Sequence, residues 1–380
     1  MLRFAFSPTH DMNIGELRIA LLNYKASQQK NESFIVRVED KDIEKNIEGK
    51  ESEFLDILAL FGVQYTQVIH QSQNVRFHTA MALQLLHEKR AFNCFCSDDW
   101  LDKKKKEAED SGKAYKYDDA CRNLPAELVI DNESPFRIRI NHPDKEDIDS
   151  FIIFDQEKKP THDFSCAVDD MLNDISMIID DEKKINTSVK QEHIREQLDY
   201  DKKIEFVHVS SMKEQDNLSV KSLLEDGFLP EAISNYLISN FDFDLEVLKR
   251  INKEHLINLD AKELSRYVGF ADEEIGELAR LYLKDVSTTK ELKSKIEPIF
   301  QTRVIPNVLK EQIEKLTQII KNAPYFEEYE AFKSYLLKKS ELQESEYVQS
   351  ISILLTNSDK ISDVAKVYKY IKNYLGEIIK

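Results

Sequence analysis

Short apolar runs alternate with helically spaced apolar positions over the first ninety residues. Residues 2–5 form a brief apolar run, and Leu17, Ala20, Leu21 and Tyr24 then recur at the period of a helix face. Phe34-Ile-Val-Arg-Val38 predicts a buried strand, Phe54, Ile57, Leu58 and Phe61 a second helix face, and Val68 with Ile69 a further strand. Strand, helix, strand, helix in this order predicts a parallel sheet of the doubly wound type. Residues 91–150 break the rhythm with three of the four cysteines, a lysine run at 103–106 and an alternating strand at 136–140, and are read as an insertion. Residues 151–209 return to strand and helix, with strand candidates at 151–154 and 177–179. From about Phe228 the pattern is helical to the end: Leu309, Ile313, Leu316 and Ile320 share one face after Pro306, and no strong strand run follows Val209. There is no internal repeat and no low-complexity linker.

A chain of 380 residues has room for two or three cores. With 41% hydrophobic and 32% charged residues, it has the composition of a globular protein. No window approaches the roughly 18 apolar residues of a membrane helix, and residues 1–23 carry no signal-peptide pattern, so no membrane partner is expected. Four cysteines cannot make a disulfide framework, which predicts a reducing, cytoplasmic compartment. The net charge of −17 disfavours a protein that coats nucleic acid non-specifically, and DNA is not expected as a partner. Among eight glycines, Gly15 is the only one before Gly49, so a phosphate cradle there is thin. No Gly-x-Ser-x-Gly elbow or Walker A loop is present. The lysines at 103–106 precede Glu107 and Glu109 and read as a solvated helix face. Cys94-Phe-Cys96 puts two thiolates on one turn, and Tyr117 with Cys121 offers a second, as a tetrahedral metal ion requires. A small core of buried thiols around an aromatic ring gives the same pattern.

Arg3-Phe-Ala-Phe-Ser-Pro-Thr9 followed by Asn13-Ile-Gly-Glu16-Leu-Arg18 resembles the opening of the glutamyl-tRNA synthetases. The segments Arg37-Val-Glu-Asp-Lys-Asp42, Gln71-Ser72, Pro160-Thr-His-Asp-Phe164 with Val168-Asp-Asp170, and Gly227-Phe-Leu-Pro-Glu-Ala232 match that family in the same order, over roughly residues 1–240. The resemblance implies an α/β fold. Residues 1–90 and 151–209 would be the halves of a Rossmann-like catalytic domain, and 91–150 an acceptor-end or zinc-type insertion. Residues 210–240 would be a degenerate Lys-Met-Ser-Lys-Ser and stem-contact segment, and 241–380 a helical anticodon-binding-like domain, shorter than usual. It also implies ATP, glutamate and tRNA as substrates, in a protein expected to be monomeric.

Carried over residue by residue, the family's phosphate motifs fall on Asn13, Gly15 and Lys213, and its amino-acid pocket on Arg3, Ser7, Glu39, His162 and Asp180. Asn13 can donate a hydrogen bond but carries no positive charge, and Glu16 brings a carboxylate to where phosphates would lie. A helix cap is the plainer role for Asn13, a surface lysine for Lys213, and a buried ion network for Arg3 and Glu39. Asp180 stands where the family has an arginine, and its carboxylate would repel that of glutamate by roughly 4 kcal/mol at about 4 Å and an effective dielectric near 20. Some family members carry zinc on a Cys-x-Cys…Tyr-x-x-x-Cys set, which Cys94, Cys96, Tyr117 and Cys121 match. The expectation is therefore a glutamate–tRNA ligase scaffold with eroded ATP and glutamate sites. It would be catalytically impaired and would act as a tRNA-binding or interaction module, with an active or altered ligase as the alternative.

Overall fold

A computed structural model describes residues 1–142, 149–212, 218–239, 242–358 and 364–379. Residues 1–220 form one compact unit, and residues 221–239 with 244–380 a second.

The first unit is built on five parallel strands: β1 (Leu2–Phe6), β2 (Phe34–Val38), β3 (Val68–His70), β7 (Met177–Asp181) and β8 (Glu205–Val209), in the order β3-β2-β1-β7-β8. Helices α1 (Ile14–Lys30), α2 (Lys50–Leu60) and α3 (Val75–His87) follow the first three strands. Leu17, Ala20 and Leu21 of α1 and Phe54, Ile57 and Leu58 of α2 are the buried faces that the spacing predicts. The chain builds outward from β1 through β2 and β3, then returns to the opposite side with β7 and β8. That reversal marks a topological switch point between β1 and β7, where open α/β sheets bind their ligands.

The ladder at the switch point is short. β1 and β7 pair only at Leu2 and Met177, so the two strands part toward their carboxyl ends. Asn23 of α1, 1% exposed, fills part of the gap. Its side chain donates to the Ile179 carbonyl at 2.7 Å and accepts from the Ile179 N–H at 2.9 Å, pairing two backbone groups that β1 does not reach.

The insertion carries an antiparallel sheet of β4 (Ala91–Cys94), β5 (Arg137–Ile140) and β6 (Ile152–Phe154), with helices α4 (Asp98–Asp110) and α5 (Ala126–Ile130) in the connection. The strand at 152–154 thus pairs with β5 rather than joining the parallel sheet. This sheet is not a separate body. Ile138, Ile140, Phe151 and Ile153 share a core with Ala82 and Leu85 of α3, with Phe164 and Val168 of α6 (His162–Leu172), and with Ile194 of α7 (Ile185–Gln197). In α4, Lys104 pairs with Glu107 and Lys105 with Asp102, as expected of a solvated face.

The second unit is all helical among its described residues, and no strand follows Val209 among the described residues. Leu264, Ile275, Leu278, Leu292, Ile296, Ile313, Leu316, Leu336 and Ile351 meet in one core. Gly276 is needed where helices Ala261–Val268 and Glu273–Arg280 cross, because a Cβ there would lie 1.7 Å from the Ala261 carbonyl oxygen. No described helix is long and apolar enough to cross a membrane.

Candidate active site

A cleft of about 330 Å³ opens where β1 and β7 part. Its walls are Arg3 and Ala5 of β1, residues 13–16 at the start of α1, Arg37 and Glu39 from β2 and its carboxyl end, His162 and Cys166 of α6, Asp180 and Asp181 at the end of β7, and Lys183 and Lys184 just after it. Sequence-predicted Arg3, Asn13, Gly15, Glu39, His162 and Asp180 all reach this one space. Ser7 stands behind it, with its hydroxyl 3.5 Å from Glu39 Oε2. Lys213 lies outside the described residues.

Asn13 caps α1. Its Oδ1 accepts from the Glu16 N–H at 2.9 Å, and Glu16 Oε2 accepts from the Asn13 N–H at 2.9 Å, a reciprocal capping box. Glu16 Oε1 lies 2.9 Å from His10 Nε2. The Glu16 carboxylate is therefore held at the helix start by two contacts instead of standing free in the cleft.

Beneath the cleft lies a buried charge network. Asp170 takes Arg3 Nε at 2.7 Å and Nη2 at 3.0 Å, and Arg37 Nη1 at 2.7 Å. Arg37 Nη2 donates to Glu39 Oε1 at 3.0 Å. Two guanidinium groups thus meet two carboxylates. Burial alone would raise the Glu39 pKa, but Arg37, with His162 and Arg3 behind it, holds it down at about 2. Asp170 is likewise pulled below the usual carboxylate range, because Arg3 and Arg37 outweigh the burial that would raise it. Asp169 faces the other way and accepts from Gln71, Asn74 and His78 at 2.8–2.9 Å.

The opposite wall carries cations. Asp180 does not stand alone: Lys184 Nζ lies 3.1 Å from its Oδ1. Lys183 lines the cleft and shows no ion pair among the described residues. Asp181 accepts from the Ser211 hydroxyl at 2.5 Å, and Arg18 Nη1 donates to the Ser210 carbonyl at 2.8 Å, so the segment entering the second motif is tied to β7 and α1.

In the insertion, Cys94, Cys96, Tyr117 and Cys121 converge. The Tyr117 hydroxyl lies 3.4 Å from Cys94 Sγ and 3.5 Å from Cys96 Sγ, and the Cys96 and Cys121 sulfurs are 3.6 Å apart. Zinc bonds of about 2.3 Å to sulfur and about 2.0 Å to oxygen put neighbouring ligands of a tetrahedral ion about 3.5–3.8 Å apart. The donor set fits. Burial opposes a thiolate at Cys94, but hydrogen bonds from Tyr117, the Cys96 N–H and Arg139 bring its pKa below the ordinary value, while burial pushes Cys96 up to about 12.

Sequence reasoning passed over Arg37, Asp170, Asn23, Lys183, Lys184 and Cys166 as site residues. Arg37 had a usable signal, since it is the one charge inside the otherwise apolar run 34–38. Nothing in local spacing reveals Asn23, whose partner is 156 residues away.

A doubly wound parallel sheet with a helix start and a polar cleft at its switch point defines the nucleotide-binding class of α/β folds. The sequence match is more particular. The family described as "tRNA synthetases class I (E and Q), catalytic domain" matches residues 1–238, and this chain belongs to it. A glutamate–tRNA ligase of Sulfurimonas denitrificans is 51% identical and one of Nitratiruptor 38% identical, each aligned over 100% of both chains. A crystal structure of a glutamate tRNA ligase from Elizabethkingia meningosepticum, in complex with its amino acid, superposes with a TM-score of 0.78 at 18% identity. It covers 99% of this chain and 97% of that one, and shows the same fold.

Proposed function

We propose that the chain is a glutamate–tRNA ligase. A glutamate carboxylate would attack the α-phosphorus of ATP and expel pyrophosphate. A hydroxyl at the tRNA 3′ end would then attack the acyl carbon of the adenylate and expel AMP. The observation that carries this reading is the convergence of Arg3, Glu39, the α1 start, Lys183 and Lys184 on a single cleft at the switch point.

The capping box uses the N–H groups of Asn13 and Glu16. First-turn N–H groups lack intrahelical partners, so those of Ile14 and Gly15 remain to meet an anion. Chemistry of this kind rests on stabilising phosphate charge, and each preorganised donor contributes roughly 3–4 kcal/mol. Lys183 and Lys184 bring cations to the opposite wall, where the sequence alone showed no compensation for Asn13. Glu39, held ionised, would receive the substrate ammonium group. Zinc on Cys94, Cys96, Tyr117 and Cys121 would hold the insertion together and take no part in the chemistry.

Asp180 and Asp181 favour a second reading, an impaired ligase that keeps tRNA binding, because both bring carboxylates to the cleft. ATP–pyrophosphate exchange separates the two. Glutamate-dependent exchange, with or without tRNA, supports the ligase. Silent exchange with tRNA retained on a filter supports the second reading. Neither signal would leave both without support.

A further inference from the structure

Arg139 is a buried charge of the insertion with no carboxylate to balance it. It lies on β5, pairs with Phe92 across the ladder to β4, and is 5% exposed. Its Nε donates to Cys94 Sγ at 3.4 Å and its Nη1 to the Ser150 carbonyl at 2.7 Å. Its Cζ lies 3.8 Å from the centre of the Tyr117 ring. Among the described residues no carboxylate comes within ion-pair distance of it. Two other arginines of the insertion differ. Arg137 pairs with Asp98 and donates to the Cys96 carbonyl at 2.9 Å, and Arg122 pairs with Asp119 at 3.1 Å. A buried guanidinium without a counter-ion is costly. What lies against this one is a sulfur and an aromatic ring that both belong to the candidate zinc set.

We propose that Arg139 is the counter-ion of the insertion's metal–thiolate cluster, and the residue that lets Cys94, Cys96, Tyr117 and Cys121 hold a dication of the zinc class tightly. The inference rests on the zinc reading of that set. Three thiolates around one dication leave one negative charge, even with the Tyr117 hydroxyl neutral. Arg139 supplies the matching positive charge. Its Nε–H is directed at a ligand sulfur, and its plane lies over the ring that carries the ligand hydroxyl. Arg139 touches the ligands and not the ion, so it is a positioning residue, and such outer partners govern affinity. Its charge has opposite consequences in the two states of the site. With metal bound it is compensated; with metal removed it is a buried charge without a counter-ion.

The test is titration of the metal-freed full chain with Zn²⁺ in competition with a chromophoric chelator. The chains compared are the parent, Arg139→Gln, Arg139→Met, Arg139→Lys and Arg122→Gln. Both neutral variants at position 139 are expected to bind Zn²⁺ about 10–100-fold more weakly than the parent. Arg139→Lys, which keeps the charge and loses the planar fork, is expected to fall between, and Arg122→Gln to match the parent. Urea unfolding read by Trp100, which packs on the same cluster, adds a second measurement. The neutral variants are expected to lower the midpoint of the metal-loaded chain further than that of the metal-free chain. If one neutral variant fails to fold by circular dichroism, the other decides. Parent-level Zn²⁺ affinity in a folded neutral variant overturns the proposal and leaves the zinc reading standing. So does an equal loss of midpoint in the loaded and metal-free chains, because an arginine that only packs serves both alike. No Zn²⁺ binding by the parent overturns the zinc reading and the proposal with it.

Discussion

Asp170→Asn removes one negative charge and almost no volume from the centre of the buried network. Asp170 is 1% exposed and receives three guanidinium hydrogen bonds, at 2.7, 3.0 and 2.7 Å. Arg3 and Arg37 are 7% and 1% exposed, so neither can turn to water without unpacking the strands that carry it. With asparagine in place, one buried guanidinium charge has no counter-ion. Breaking a buried pair from one side in this way costs roughly 3–5 kcal/mol. The single tryptophan, Trp100, lies in the first unit, so its fluorescence during urea unfolding follows that unit alone. The expected result is a lower midpoint at unchanged slope. Arg3→Met added to Asp170→Asn should recover part of the loss, because Arg37 keeps Glu39 and the orphaned charge is that of Arg3. A loss below about 1 kcal/mol for the single variant would refute the claim that this network is a desolvated, mutually compensating set.

Asn23→Leu should cost about 2–4 kcal/mol in the same assay, since the Ile179 N–H and C=O would both be buried without partners; retained stability would show that β7 does not depend on that side chain. Glu39 has a folded pKa of about 2 against an ordinary 4.5, so its contribution is complete above pH 4.5 and fades as the pH falls toward 2. That shift is worth about 3 kcal/mol, and Glu39→Gln should flatten the acid limb of stability in that window; an unchanged limb contradicts it. Gly276→Ala should lower the melting temperature of the helical unit, read by circular dichroism, through an overpacking cost of about 3 kcal/mol or more, because the Ala261 backbone cannot yield to the new methyl group. An unshifted melting temperature would mean that the two helices can separate freely.

Much of the fold was legible because its signals are local. The apolar runs at 34–38 and 68–69 and the helical spacings at 17–24 and 54–61 each specify an element by period alone. The strand at 152–154 was legible as a strand but not as a partner of β5, since an apolar run of that length does not name the sheet it joins. The site divides in the same way. Asn13 announced itself as a cap, and the cysteines with Tyr117 as a ligand set, through short spacings. Two features looked more hostile in sequence than in three dimensions: Glu16 folds back onto the helix cap and His10, and Asp180 meets Lys184. Both contacts are set by backbone geometry, which residue type alone does not convey.

The central claim is that the switch-point cleft receives a nucleotide and an amino acid, with Lys183 and Lys184 supplying positive charge. Calorimetric titration of the full chain with ATP, in the presence of glutamate, tests it most directly. The account predicts binding at one ATP per chain, weakened at least tenfold when both lysines are changed to alanine. No heat from ATP at millimolar concentration, with or without glutamate, would contradict it.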